Sequence, residues 1–99
     1  MILTTTNSIE GFKIIDYKGL VTGVALHEGK LTMGFSISKY MQSIQESIDS
    51  VKEQAFQRLR DNAKQLGANA VVGIKVEIEL TTGNYAMVSV TGTAVSVAT

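Results

Sequence analysis

The sequence predicts a small α+β domain: one long helix on a four-stranded, mainly antiparallel sheet, in the order β-β-α-β-β. Three observations carry this. An apolar stripe of helical period runs from Ile37 to Leu66, residues 71–80 alternate with a period of two, and β-branched or aromatic runs punctuated by glycine stand on either side. A chain of 99 residues has material for one core, so residues 1–99 are read as a single domain.

Residues 9–18 mix Phe12, Ile14, Ile15 and Tyr17 with Glu10, Lys13 and Asp16, which is a strand with a slip at Ile14-Ile15. After Gly19 a second strand covers 20–27, and its Gly23 marks a bend or a close backbone approach. Residues 28–34, with Gly29 and Gly34, read as a loop. From Ile37 the apolar residues Met41, Ile44, Ile48, Val51, Ala55, Leu59 and Leu66 share one helical face. A helix this long would be ~45 Å, against a radius of gyration of ~13 Å for a globule of this size, so a break is expected. Ser38, Ser43 and Ser50 are the candidate caps for it, and Gly67 is the expected left-handed C-cap.

In the third strand Val72, Ile74, Val76, Ile78 and Leu80 make a core face opposite Lys75, Glu77 and Glu79. Thr81-Thr82-Gly83-Asn84 turns into a last strand, where Val88 and Val90 share one phase and Val95 and Val97 the other, implying a bulge near Gly92. Val21-Thr22-Gly23 is echoed by Val90-Thr91-Gly92.

Composition excludes several functions. Nine basic residues balance nine acidic ones, so no global field draws nucleic acid or an anionic membrane. Without cysteine there is no disulfide, thiolate metal site or cysteine nucleophile, and His27 is the single histidine. The last twenty residues carry no charge, but half are Thr, Ser, Asn or Gly, so they read as strand and not as a membrane span. The first residues lack a basic segment and an apolar run, which points to the cytoplasm.

Candidate sites reduce to ordinary surface. His27 beside Glu28 pairs two ligand types at a strand end, where a surface histidine is the simpler reading. Glu46, Asp49 and Glu53 share a helix face with Gln57, Arg60 and Lys64, the arrangement of a solvated face. Gly29-Lys30 is followed by Leu31 and not by Ser or Thr, so no phosphate loop is present. Tyr17, Tyr40 and Tyr85 lack interleaved basic residues for base stacking, and core packing accounts for Phe12 and Phe56. No catalytic residue, metal ligand or cofactor follows.

Ile9-Glu10-Gly11, Tyr17, Gly19, Val21-Thr22-Gly23, the run Leu66-Gly67-Ala68-Asn69-Ala70-Val71-Val72-Gly73-Ile74 and the run from Met87 to Val95 together resemble the YbjQ-like family. These are uncharacterised bacterial proteins often labelled putative heavy-metal-binding. The resemblance implies a dodecin-like β-β-α-β-β fold assembled as a ring-shaped pentamer, and it brings no activity. Relatives carry a longer insert and a Gly-Gly-Arg-Ser-like motif before the helix, where this chain has Ser38-Lys39-Tyr40, so no binding residue is carried over there.

Four strands span ~19 Å and a helix only ~10–12 Å, so one helix leaves part of the sheet bare. Self-association would cover it and also shield the uncharged last strand. Both apolar stripes lack polar interruptions, which puts any function at subunit contacts. The expected lining is Thr22, Lys75, Glu77, Glu79, Ser89, Thr91 and Thr93, suited to a small polar ligand or hard cation. The leading expectation is thus a homo-oligomeric binding module, followed by an interaction platform, with an enzyme or a heavy-metal binder last.

Overall fold

The computed structural model describes residues 1–27, 37–80 and 85–99, with the side chains of all of these except 37–40 and 43. The loop expected at 28–34 and the turn at Thr81-Thr82-Gly83-Asn84 lie outside the described residues. The elements are β1 (Ile2–Leu3), β2 (Lys13–Leu26), α1 (Ile37–Gln65), β3 (Ala70–Leu80) and β4 (Ala86–Ala98). They form one helix on a mixed four-stranded sheet of order β1-β3-β4-β2, in which β1 alone runs parallel to its neighbour.

The two strands expected at 9–18 and 20–27 are one. β2 pairs with β4 from Lys13 to Leu26 and absorbs two register shifts, one between Ile14 and Asp16 and one between Tyr17 and Gly19. The first is the expected slip. At the second, Gly19 adopts φ +121°, so the chain passes an irregularity there without turning back. The place of the missing strand is taken by β1, which pairs with Ala70 and Val71.

The helix is unbroken over 29 residues, about 43 Å at 1.5 Å per residue. The expected break assumed a near-spherical globule, whereas the molecule measures 54 × 23 × 16 Å. Ser50 is therefore an exposed residue of the helix interior, and Ser38 and Ser43 also fall inside the helix. Among the described residues no helix is long and apolar enough to cross a membrane. At the C-terminus Gly67 takes φ +78° and donates to Lys64 O at 2.9 Å, while Ala68 N–H reaches back to Ala63 O at 3.1 Å. This is the Schellman arrangement, with Ala63 and Ala68 both buried in the adjoining core.

The echoed triplets face one another. Val21 lies opposite Gly92, Thr22 opposite Thr91 and Gly23 opposite Val90. On the helix side this sets each valine against a glycine, and the space is used. A Cβ on Gly23 would lie 2.1 Å from the carbonyl oxygen of Ala55 and 2.7 Å from Leu59 N, so the helix backbone rests directly on β2. A Cβ on Gly92 would meet Val71 Cγ1 at 2.6 Å. Around these seats Val21, Ala25, Val51, Ala55, Leu59, Ala63, Val71, Val88 and Val90 form the main core.

A second core lies on the opposite face at one end, where Ala70, Val72, Val95 and Val97 pack under Ile2, Ile9 and Ile14. The phase change along β4 is thus a change in which face is covered. The irregularity expected near Gly92 lies on β3, between Val72 and Lys75, where Gly73 has φ +62°. It turns Val72 and Ile74 to opposite faces, which breaks the expected single core face. Beyond it Val76, Ile78 and Leu80 share the helix side with their partners Val90, Val88 and Ala86, yet stay about half exposed because α1 lies over β2 and β4. Phe12 is also substantially exposed, whereas Phe56 packs against the core.

Glycine substitutions should rank these features in urea unfolding. Gly67→Ala meets no atom and should lose about 1 kcal/mol through left-handed strain. Gly23→Ala, which drives a methyl into helix backbone, should lose about 3 kcal/mol, the upper end for overpacking. Equal costs would show that α1 can lift from β2 freely.

Candidate functional site

Every polar residue expected to be left over by the core falls on one surface, the sheet face opposite α1. Strand register sets them in rows: Thr22, Thr91 and Lys75 in one, Val24, Ser89 and Glu77 in the next, then Leu26, Met87 and Glu79, with Leu20 beside Thr93. The face is therefore graded across its width. Tyr17, Leu20, Val24 and Leu26 make an apolar column on β2, hydroxyls occupy the middle of β4, and one lysine and two glutamates line β3. Leu20 is 81% exposed and Tyr17 70%, far more than an isolated domain normally leaves for such side chains in a group. The Thr22 and Thr91 hydroxyls approach to 3.4 Å. Sequence reasoning found the hydroxyls and charges but missed the apolar column beside them, whose signal was the alternation Leu20, Thr22, Val24, Leu26 along one strand.

Among the described residues no polar or charged side chain is buried, and no buried polar side-chain atom lacks a partner. His27 is half-buried and bonds Ala86 O through its backbone N–H at 2.8 Å, while Glu28 lies outside the described residues. Glu46, Asp49 and Glu53 are exposed; Glu46 accepts from Gln42 at 3.3 Å and Asp49 lies 3.9 Å from Lys52. No group of three His, Asp or Glu side chains among the described residues is placed to hold a metal ion.

Asp16, between the two irregularities of β2, accepts from the Lys18 ammonium at 2.9 Å. That hydrogen bond and the lysine charge hold its carboxyl below the usual value. On the helix side, Leu3, Thr4, Thr5, Phe56 and Ile74 line an open cleft of about 340 Å³ that holds no charged group and none of the expected lining.

Asn69 was not singled out for a role by sequence reasoning. Its side-chain amide donates to Val97 O at 3.0 Å and accepts from Val97 N–H at 2.8 Å, so it substitutes for a strand residue at the end of β4. The signal available was its position two residues past the C-cap glycine.

Fold and register define the class: a small α+β domain with one helix on a mixed four-stranded sheet whose other face the helix leaves free. The chain belongs to the YbjQ-like family, described as "Putative heavy-metal-binding", which matches residues 1–98. It is 37% identical to a UPF0145 protein of Clostridium kluyveri over 105 aligned residues, covering 98% of this chain and 99% of that protein. A UPF0145 protein of Acetivibrio thermocellus is 33% identical, covering 96% of this chain and 97% of that protein. The crystal structure of a protein of unknown function of the DUF74 family from Pediococcus pentosaceus superposes with a TM-score of 0.73 at 20% identity. It covers 99% of this chain and 98% of its own, and shows that the fold is shared.

Two measurements follow. Calorimetric titration with Zn²⁺, Cd²⁺ and Cu²⁺ at neutral pH should reveal nothing tighter than about 10 μM, or about −7 kcal/mol, because soft-metal sites want thiolates. Submicromolar stoichiometric binding that vanishes in His27→Ala would reverse this. In an NMR titration Asp16 should ionise below an ordinary aspartate, and Lys18→Ala should restore the ordinary value. The pair then supports the fold fully above that ordinary value, and the support fades below it and is lost as pH falls through the lowered one; solvent exposure keeps the effect small.

Proposed function

We propose that this protein is a homo-oligomeric binding module of the cytoplasm, assembled as the ring-shaped pentamer that the family resemblance implies. Its helix-free face meets neighbouring subunits there. One observation carries the reading: an apolar column led by the highly exposed Tyr17 and Leu20 runs beside a strip of hydroxyls and charges on the same face. Burying the column against a second copy removes large side chains from water, at about 25 cal/mol per Å². The rim left at such a contact carries Thr22, Ser89, Thr91, Lys75, Glu77 and Glu79, the donors and acceptors for a small polar ligand or a hard cation.

A second reading, an interaction platform, is favoured by the lack of any preassembled metal-ligand group among the described residues. A face without a convergent polar centre suits a protein surface at least as well as a small molecule. An enzyme is the weakest reading, since no buried nucleophile, acid or base is present among the described residues.

Light scattering on the purified chain should give a mass several times 10.6 kDa, and Leu20→Lys, which places a charge in the column, should return it to the monomer. A wild-type monomer would overturn both assembled readings. Native mass spectrometry then separates them: an excess mass of a few hundred daltons, on the scale of a small-molecule ligand, marks the binding module, and a co-purifying chain marks the platform.

A further inference from the structure

The two long edges of the sheet are protected by different means. In the β2–β4 ladder His27 N–H bonds Ala86 O, so the odd-numbered residues of β2 turn toward β4 and the even-numbered ones turn outward. Two of the outward carbonyls are occupied by the helix. Arg58 Nη1 donates to Val24 O, and Asn62 Nδ2 donates to Thr22 O at 2.8 Å. The spacing fits: four helical residues rise about 6 Å, and two strand residues about 6.6 Å, so side chains four apart reach alternate carbonyls. The close seat at Gly23 brings α1 near enough for both to reach over.

We propose that Arg58 and Asn62 form a latch that bars strand addition at the β2 edge, and that the strand they exclude is β3 of a second copy. Beyond Ile74, where the N-terminal segment ends its cover through Thr4 O and Thr6 O, β3 has no neighbour on its outer side among the described residues. From Lys75 to Leu80 its register with β4 is regular, and the ladder turns the backbone groups of Val76 and Ile78 outward. β2 and β3 both run antiparallel to β4, so a translated copy would place its β3 beside β2 in parallel.

Three features select this occupant. The glutamates of β3 would meet an uncharged stretch, Leu20 to Leu26, whereas two β3 strands paired antiparallel about Glu77 would set glutamate against glutamate. The half-exposed strip of Val76, Ile78 and Leu80 lies on the helix side and would be covered by the flank of α1 that Arg58 and Asn62 now occupy. The contact is head-to-tail, so without closure it propagates into a filament, the outcome a latch prevents.

The test is R58A/N62A in the full chain, followed by light scattering and electron microscopy across a concentration series. The variant should grow with concentration into extended fibres while the wild type keeps one mass. Adding Ile78→Pro, which removes an outward N–H of β3 and leaves its ladder to β4 intact, should abolish growth with circular dichroism unchanged. A folded R58A/N62A of wild-type mass at every concentration overturns the latch, and growth that persists with Ile78→Pro overturns β3 as its target. Should R58A/N62A not fold, Asn62→Asp, which keeps the shape but presents an acceptor to Thr22 O, is read by the same criteria. This outcome is independent of any ligand and of the Leu20 contact.

Discussion

The structure depends on the contact between helix backbone and strand at Gly23. With no side chain there, α1 settles until Ala55 O and Leu59 N occupy the space of a Cβ, and the helix axis is fixed over β2 and β4. A helix about 10 Å wide then cannot also cover the far half of β3. The exposed strip of Val76, Ile78 and Leu80, the bare opposite face and the reach of Arg58 and Asn62 over the edge of β2 all follow from that placement.

The second constraint is the N-terminal segment. It pairs with Ala70 and Val71, bonds Gly73 and Ile74 through Thr6 O and Thr4 O, and lays Ile2 and Ile9 over the face opposite the helix. At this end the sheet is covered on both sides, which is why neighbours such as Ala94 and Val95 are both fully buried. Farther along, the same sheet has a helix on one face and, among the described residues, no element on the other. Burial therefore falls along the length of the molecule as well as across its thickness, and a 29-residue helix runs unbroken along a body 54 Å long.

What was legible in the sequence was what neighbouring residues decide. The stripe of α1 and the Gly67 cap depend on residues a turn apart; the structure has the cap and buries the stripe at Val51, Ala55 and Leu59, while Met41 is exposed and Leu66 lies exposed just past the helix end. The slip at Ile14-Ile15 and the close approach at Gly23 were equally local. The two-residue β1 was not legible, because so short a parallel strand has no periodicity and exists only through its pairing with β3. Gly19 read as the break between two strands because a glycine serves a strand break and a bulge alike, and in the structure its positive φ marks a bulge. The alternation of β3 predicted a buried face, but alternation shows which side chains share a face and not whether anything covers it. At the candidate site this distinction favoured the reading: the hydroxyls and charges were assigned to one surface by phase alone, and register placed them there. The residues that carry the family resemblance, Gly23, Gly67, Asn69, Gly73 and Gly92 among them, have backbone or packing duties. They specify this fold and say little about what it binds.

The two sheet edges follow from the same economy of residues. Between Lys75 and Leu80, β3 guards its edge with charges, which repel a like strand and stay hydrated. β2 has that option only in its first half, where Lys18 and two register shifts disturb the edge. From Leu20 to Leu26 it carries no charge: its helix-side residues must admit the helix, and on the other face Leu20, Val24 and Leu26 belong to the apolar column beside the Thr22 hydroxyl. Protection there has to come from another element. The helix is the element within reach, and the glycine that admits it also brings Arg58 and Asn62 to the exposed carbonyls.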